Sequence, residues 1–436
     1  MTGTRDTLNR LRALHAGTPR AVAAPTAAKA GPGRADFTTH PGYRQVAVAR
    51  SAAAALDVEN PFFRETEAVD GTQVRIGERW VENFSGYDYL SINGDPRLAA
   101  AVGAAVAEFG VSARASRLVG GDLSLHRRLE TGLARFLGTE AALATVSGHA
   151  TNLAAIRTLT GPGDVVLVDS FAHNSVFEGL RASGADHVSV PHNDSAWLED
   201  WLSRNRERYD RVLIVVEGLY SMDGDIPDLA ALVRIKDRFE AWLMVDEAHS
   251  VGVLGATGRG LCEEAGIAPG RVDLLMGTLS KTFCSCGGFL AGSEAAIEIL
   301  RHSAPGFVYS VGLSVPNTAA ALTALEILEA EPERVARLKA RSARFLAASE
   351  AEGLDCGLGR GFAVAPLIVG DSLKATLASN RVFEDGFQAF PIIAPAVPNQ
   401  KARLRFFINA DHSEAAIDAA VASAAARIRE VGGARF

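Results

Sequence analysis

The sequence predicts an α/β protein: a mostly parallel central sheet with helices on both faces, followed by a smaller α+β domain. Two observations carry this. Apolar, β-rich runs recur at Ala142–Val146, Val165–Val168, His187–Val190, Val212–Val216, Trp242–Val245, Asp273–Met276 and Phe289–Ala291. Several are apolar on both faces, as strands buried between two helix layers are. Between most of them lie stretches with helical spacing, at Ala150–Leu159, Val176–Ser183, Ser195–Arg206 and Leu229–Phe239. Strand and helix in alternation imply crossover connections in a parallel sheet.

Residues 1–57 read as a flexible basic arm. The segment AVAAPTAAKAGPGRAD (21–36) has almost no bulky apolar residue, and residues 1–50 hold eight Lys or Arg against two Asp, a net of +6. Such stretches cannot bury enough apolar surface to order themselves. A short helix over Arg5–His15 is the element expected there. Residues 58–90 read as a segment joining the small domain, 91–315 as the large ligand-binding domain, and 316–436 as a linking helix and the small domain. Within the last, the pattern predicts a helical stretch over Pro316–Leu354, a strand near Ala363–Val369, a helix near Leu373–Phe383, a strand near Leu404–Ile408 and a helix from Glu414.

Composition narrows the class. The chain has 436 residues, 48% hydrophobic and 22% charged, enough for two or three domains with cores of their own. With Lys plus Arg at 44 and Asp plus Glu at 51, the net charge is −7, which offers no general attraction to nucleic acid or anionic membrane. No apolar run approaches the roughly 18 residues of a membrane span. The start, MTGTRDTLNRLRALHAG, lacks the apolar core of a signal peptide. Cys262, Cys284, Cys286 and Cys356 are too few for a disulfide scaffold and lack zinc-site spacing. The expectation is a cytoplasmic enzyme with no metal.

In a doubly wound sheet, ligands sit at the carboxyl ends of the strands. Those ends read SGHATN (147–152), DSFAHNS (169–175), EGLYSMDGD (217–225), VDEAHS (245–250) and GTLSKTF (277–283). Lys281 is the centre of the reading. A lone lysine is ordinarily a solvated surface residue. Here Thr278 and Ser280 offer hydroxyls to a phosphate, Gly287 and Gly288 leave room for a planar ligand, and a desolvated lysine can form a Schiff base. Asp246, at a buried strand end, needs a partner, and a protonated pyridine nitrogen suits it. His249 follows within reach of a ring oxygen. The alternative for Asp246 is a cap on the next turn; a DEAH-type helicase is ruled out because the chain has no GxxxxGK[ST] loop. His173 can stack on a ring or move protons, against the plainer reading of a structural histidine. Gly148-His149 stands where a helix start can hold phosphate. The glycines of VGVLGATGRG (251–260) read as a turn-rich loop, and Cys284-Ser-Cys286 as small packing residues.

Together these strings resemble the α-oxoamine synthases, pyridoxal-phosphate (PLP) enzymes of fold type I. The likeness runs from about Asn60 to Ile417. It rests on NFSGYDYL, SGHATN, FAHNS, EGLYSMDGDIPDL, VDEAHS, GRG, GTLSK with a following GG, and PAVP…RLRFF. GYDYL and VDEAHS look more like the serine palmitoyltransferase branch than the oxononanoate branch. NPFFRE and SAPGFVYSVG, with SGHATN and EGLYSMDGDIPDL, look similar to synthase domains that release chains from polyketide assembly lines. The resemblance implies that Lys281 joins the cofactor, Asp246 pairs with its ring nitrogen and His173 stacks on the ring. It places Ser221 and His249 on the ring-oxygen side, with Gly148, His149, Thr278 and Ser280 at the phosphate. It puts Tyr87 and Arg405 at the substrate, and Ser310 at the neighbouring subunit's phosphate, hence a homodimer. One departure stands out: Ile393 lies about where many bacterial relatives carry an arginine for the substrate carboxylate.

The implied reaction joins an amino acid to an acyl thioester with loss of thiol and carbon dioxide, giving an α-amino ketone. The implied donor is an acyl carrier protein, coenzyme A being the alternative. An aminotransferase or aldolase on the same fold would share Lys281 and Asp246 but leaves SGHATN with SMDGD unexplained. A non-catalytic partner subunit would lack the lysine.

Overall fold

Apolar runs and helix caps alternate along the chain, and the fold follows them. The computed structural model describes residues 36–55, 58–398 and 400–433. It divides into two units at Glu59/Asn60. In the first, Asp36 caps a short turn by accepting from the Thr38 N–H, and a helix spans Pro41–Ala55 within a stretch read from sequence as an arm. The helix expected over Arg5–His15 lies outside the described residues.

The second unit opens with strands β1 (Ala68–Asp70), β2 (Gln73–Ile76) and β3 (Arg79–Asn83), an antiparallel meander. Seven strands follow: β4 (Ala141–Thr145), β5 (Val165–Asp169), β6 (Asp186–Val190), β7 (Val212–Glu217), β8 (Trp242–Asp246), β9 (Leu274–Thr278) and β10 (Gly288–Gly292). They form one sheet in the order β4-β10-β9-β8-β7-β5-β6. The pairs β5–β6, β5–β7, β7–β8 and β8–β9 are parallel, while β10 runs antiparallel to both its neighbours. The smaller elements are β11 (Val364–Gly370), β12 (Phe387–Gln388), β13 (Phe390–Ile392) and β14 (Ala402–Phe407). A three-stranded antiparallel sheet has the order β11-β14-β13, and β12 pairs in parallel with β3.

The two-faced apolar runs have a direct explanation. Val165, Leu167, Ile214, Leu243 and Val245 join the core on one side of the large sheet, and Val166, Val168, Leu213, Val215 and Met244 the core on the other. Each such side chain contributes roughly 1.5–3 kcal/mol when fully buried, so a register slip anywhere in the centre is strongly disfavoured. The crossover helices start at side-chain caps. Ser147 accepts from Ala150 N–H, Asp194 from Trp197 N–H and Asp228 from Ala231 N–H.

Two details differ from the sequence reading. The helical stretch over Pro316–Leu354 is two helices, Val315–Ala330 and Glu333–Ala351. Pro332 separates them: the residue before a proline is pushed out of the helical region, and Glu331 sits at φ −126, ψ 58. The strands at 68–83 escaped notice because QVRI and RWVEN mix charged and apolar residues over too few positions to show a period.

Candidate active site

The carboxyl ends of the parallel strands, with the loops after them, surround a cleft holding about 970 Å³ of empty space. Its lining includes Tyr87, Gly148, His149, His173, Ser221, Asp246, His249, Thr278, Ser280, Lys281 and Arg405. Every site residue singled out from sequence is therefore in one place, except Ser310. That residue follows the short helix Pro305–Val308, beside the exposed Tyr309, and is not among those that line the cleft.

Lys281 stands in the loop between β9 and β10. Burial lowers its ammonium to about 8, with the charges of Asp246 and Glu217 opposing the fall. Its Nζ lies 5.6 Å from the centre of the Tyr87 ring. Asp246 ends β8 and is buried. Its Oδ2 accepts from Asn152 Nδ2 at 2.7 Å and its Oδ1 from the Ala248 N–H at 3.0 Å. Those bonds fix the carboxylate plane without neutralising its charge.

Asn152 Nδ2 also reaches Ser175 Oγ at 2.9 Å, and Ser175 Oγ lies 2.7 Å from His173 Nδ1. A hydrogen-bonded chain thus joins His173 to Asp246 through two residues that sequence reasoning passed over. Asn152 was inside the SGHATN string, but nothing in a linear motif shows which of its polar residues turns inward. His173 caps the helix Asn174–Ser183, and its Nδ1 accepts from the Ser175 N–H at 3.2 Å. In the neutral ring the proton is then on Nε2. Burial, aided by the charge of Lys281, lowers His173 below its ordinary value, against the pull of Asp246.

The remaining walls are set by distant segments. His249 Nδ1 is bonded to Tyr89 Oη, and burial with the Lys281 charge keeps its ring neutral. Arg405, on β14, donates through Nη1 to the Ser221 carbonyl at 2.9 Å and lies over the Phe407 ring at 4.5 Å. Arg403, two positions earlier on β14, donates to the Met222 carbonyl and pairs with Asp223 at 2.6 Å, so the small sheet grips the SMDGD loop. Ile393 follows β13 and does not line the cleft.

One end of the cleft has the groups that an anion would need. The helix Gly148–Leu159 begins there, and its first turn offers backbone N–H groups. A Cβ on Gly148 would meet Thr278 Oγ1 at 2.9 Å, so only glycine lets the helix start lie against that hydroxyl. Thr278 Oγ1 and Ser280 Oγ are 2.7 Å apart. Helix start and paired hydroxyls at one end, with a carboxylate and an amine further in, suit a planar ligand that carries a phosphate and a basic ring nitrogen.

Fold and site together define a class. Residues 81–423 match the aminotransferase class I and II family, and the chain belongs to it. Within that family it is an α-oxoamine synthase, by its likeness to two kinds of these enzymes. It is 37% identical over 362 residues to a serine palmitoyltransferase of Bacteroides thetaiotaomicron, covering 83% of this chain and 91% of that one. It is also 37% identical over 361 residues to an 8-amino-7-oxononanoate synthase of Fervidobacterium nodosum, covering 82% and 91%. Among solved structures, Sphingomonas wittichii serine palmitoyltransferase matches with a TM-score of 0.86 and 30% identity over 91% of this chain and 99% of that one. The S. paucimobilis enzyme with bound PLP–myriocin aldimine matches with 0.86 and 28% over the same shares. Among the described residues, no helix is long and apolar enough to cross a membrane.

Proposed function

We propose that this chain is a cytoplasmic, homodimeric, PLP-dependent enzyme that condenses a small amino acid with an acyl thioester presented by a separate acyl carrier protein. Glycine, alanine and serine are the amino acids in view. The observation that carries the reading is the meeting of Lys281, Asp246 and His173 in one cleft, with burial bringing the amine down from its ordinary value to about 8.

The donor set fits PLP. Lys281 would link to it, Asp246 would hold the ring nitrogen, and His173 would lie against the ring. Ser221 and His249 would serve the ring-oxygen side, and Gly148, His149, Thr278 and Ser280 the phosphate. Ser310 would reach the phosphate site of the neighbouring subunit. When bound, the cofactor supplies an electron sink for the charge left at the amino acid's α-carbon.

The protein's own groups do the rest. Lys281 Nζ is the base placed to take the α-proton, and burial makes it available near neutral pH. His173, with its proton on Nε2, is a donor that orients the substrate carboxylate. Arg405 lines the cleft from β14 and supplies the cation for that carboxylate which Ile393 cannot. In the net reaction the α-carbon gains the acyl group while thiol and carbon dioxide leave. The acyl-carrier donor rests on the resemblance to assembly-line release domains and on the net +6 of residues 1–50, which suits an acidic carrier.

The test is thiol release from PLP-loaded protein given an amino acid and one acyl group, on carrier protein or on coenzyme A, at low and high salt. Release that needs both substrates supports the synthase, and keto-acid formation without thiol sinks it. A preference for coenzyme A, or a carrier rate unchanged on deleting residues 1–50, removes the carrier arm.

A further inference from the structure

Strands β7 and β8 end side by side, each in a carboxyl residue: Glu217 and Asp246 are register partners. The two are unequally served. Asp246 accepts from Asn152 and from the Ala248 N–H. Glu217, only 3% exposed, accepts from the Ser221 N–H through Oε2 at 3.0 Å. Its Oε1 is buried and has no hydrogen-bond partner among the described residues, though the side chain lines the cleft.

The charged groups facing Glu217 are Asp246 from β8, Asp169 from β5 and Lys281 from the loop after β9, with Tyr220 close by on its own loop. Both carboxylates oppose its charge, although Asp169 is itself paired with His192, and Lys281 is shared with Asp246. A buried carboxylate holding a single N–H beside another carboxylate is less stable than the neutral acid. Of the two strand-end carboxyls, Glu217 has the poorer supply of hydrogen bonds, so its charge is the costlier one to keep.

We infer that Glu217 works as a neutral carboxylic acid, donating through Oε1 toward the group bound between Asp246 and Lys281. This rests on the reading of the cleft as a PLP site. Burial, with the Asp246 charge added, raises Glu217 to about 8, where burial also brings Lys281. As pH rises through that value Glu217 gains a charge that holds the Lys281 proton more tightly, so the two titrate together.

Infrared difference spectra of wild-type protein against Glu217→Gln, with and without PLP, read the proton directly. A carboxylic-acid C=O band is expected at pH 7, lost in the variant and lost in the wild type on titration through about 8. Glutamine keeps an acceptor for Ser221 and offers an N–H in place of the acid O–H, so its PLP affinity should stay within about threefold, whereas Glu217→Leu should weaken it at least about tenfold. Thermal melts identify folded variants. No acid band at pH 7 overturns the inference, as does a folded Glu217→Gln that loses about tenfold or more in PLP affinity. If the wild type fails to bind PLP at all, the cofactor reading falls instead, and the infrared band of the unloaded protein still decides the state of Glu217.

Discussion

Tyr89 Oη lies 2.7 Å from His249 Nδ1, in a buried pair joined across 160 positions of chain. The bond pins the segment before the first helix of the large domain to the loop after β8, and sets how His249 faces the cleft. Tyr89→Phe removes it without changing shape and leaves a buried nitrogen unpaired. The expected loss is about 1–3 kcal/mol of folding stability. Urea unfolding of the two proteins measures it, and equal midpoints would show that the bond contributes nothing.

Lys281→Ala should abolish turnover, because among the described residues no other lysine lines the cleft. Borohydride treatment followed by peptide mapping checks the assignment. Cofactor fixed to a different lysine in the variant would refute it.

Asp246→Asn should still admit PLP but lose at least about a hundredfold in kcat, since a neutral amide no longer favours a protonated ring nitrogen. It also turns an acceptor of the Asn152 amide into a mixed group. Asn152→Ala should lower kcat less, by about tenfold, through a loosened Asp246 and Ser175. Steady-state kinetics rank the pair, and a larger loss in Asn152→Ala would reverse the roles.

Gly148→Ala places a methyl group 2.9 Å from Thr278 Oγ1, in the wall that should hold phosphate. PLP affinity should fall at least about tenfold with little change in melting temperature. Equilibrium dialysis decides, and unchanged affinity would move the phosphate elsewhere.

His192 supplies a pH signature. Its Nδ1 is 2.9 Å from Asp169 Oδ1, its Nε2 2.9 Å from Asp225 Oδ2, and its ring stacks on Phe171. Burial opposes its charge, but the hydrogen bonds and charges of the two aspartates prevail and hold it at about 9. A value raised above the ordinary 6.5 means stabilisation that is complete below 6.5 and lost as pH rises through 9. Denaturation from pH 6 to 10 should show this decline in the wild type and not in His192→Gln.

Much of this was legible in the sequence because the same physics writes both. The central strands of the large sheet appear as apolar runs, since a strand buried on both faces has no polar position to hide it, while the edge strand β6, DHVSV, is largely exposed and shows only a partial run. The cleft residues were legible where a strand stopped at an ionisable group, as at Asp246, or shortly before one, as at Lys281. What stayed hidden depends on contacts between distant segments. Asn152, Ser175 and Glu217 matter through partners on other elements, and a linear string shows none of those. The split at Pro332 was readable, but the apolar spacing on either side masked it.

The antiparallel placement of β10 has a kinetic consequence. Every other strand end around the cleft leads into a crossover or a long excursion, but the loop 279–287 returns directly to pair with the strand it left. It is closed by Leu279 N–H to the Gly287 carbonyl and Ser285 N–H to the Leu279 carbonyl, both at 2.9 Å. The backbone beneath Lys281 is thus tied to one sheet at both ends. Any swing of the amine between the bond-making and proton transfer proposed for it would fall to its own four-carbon stem, with no loop opening required.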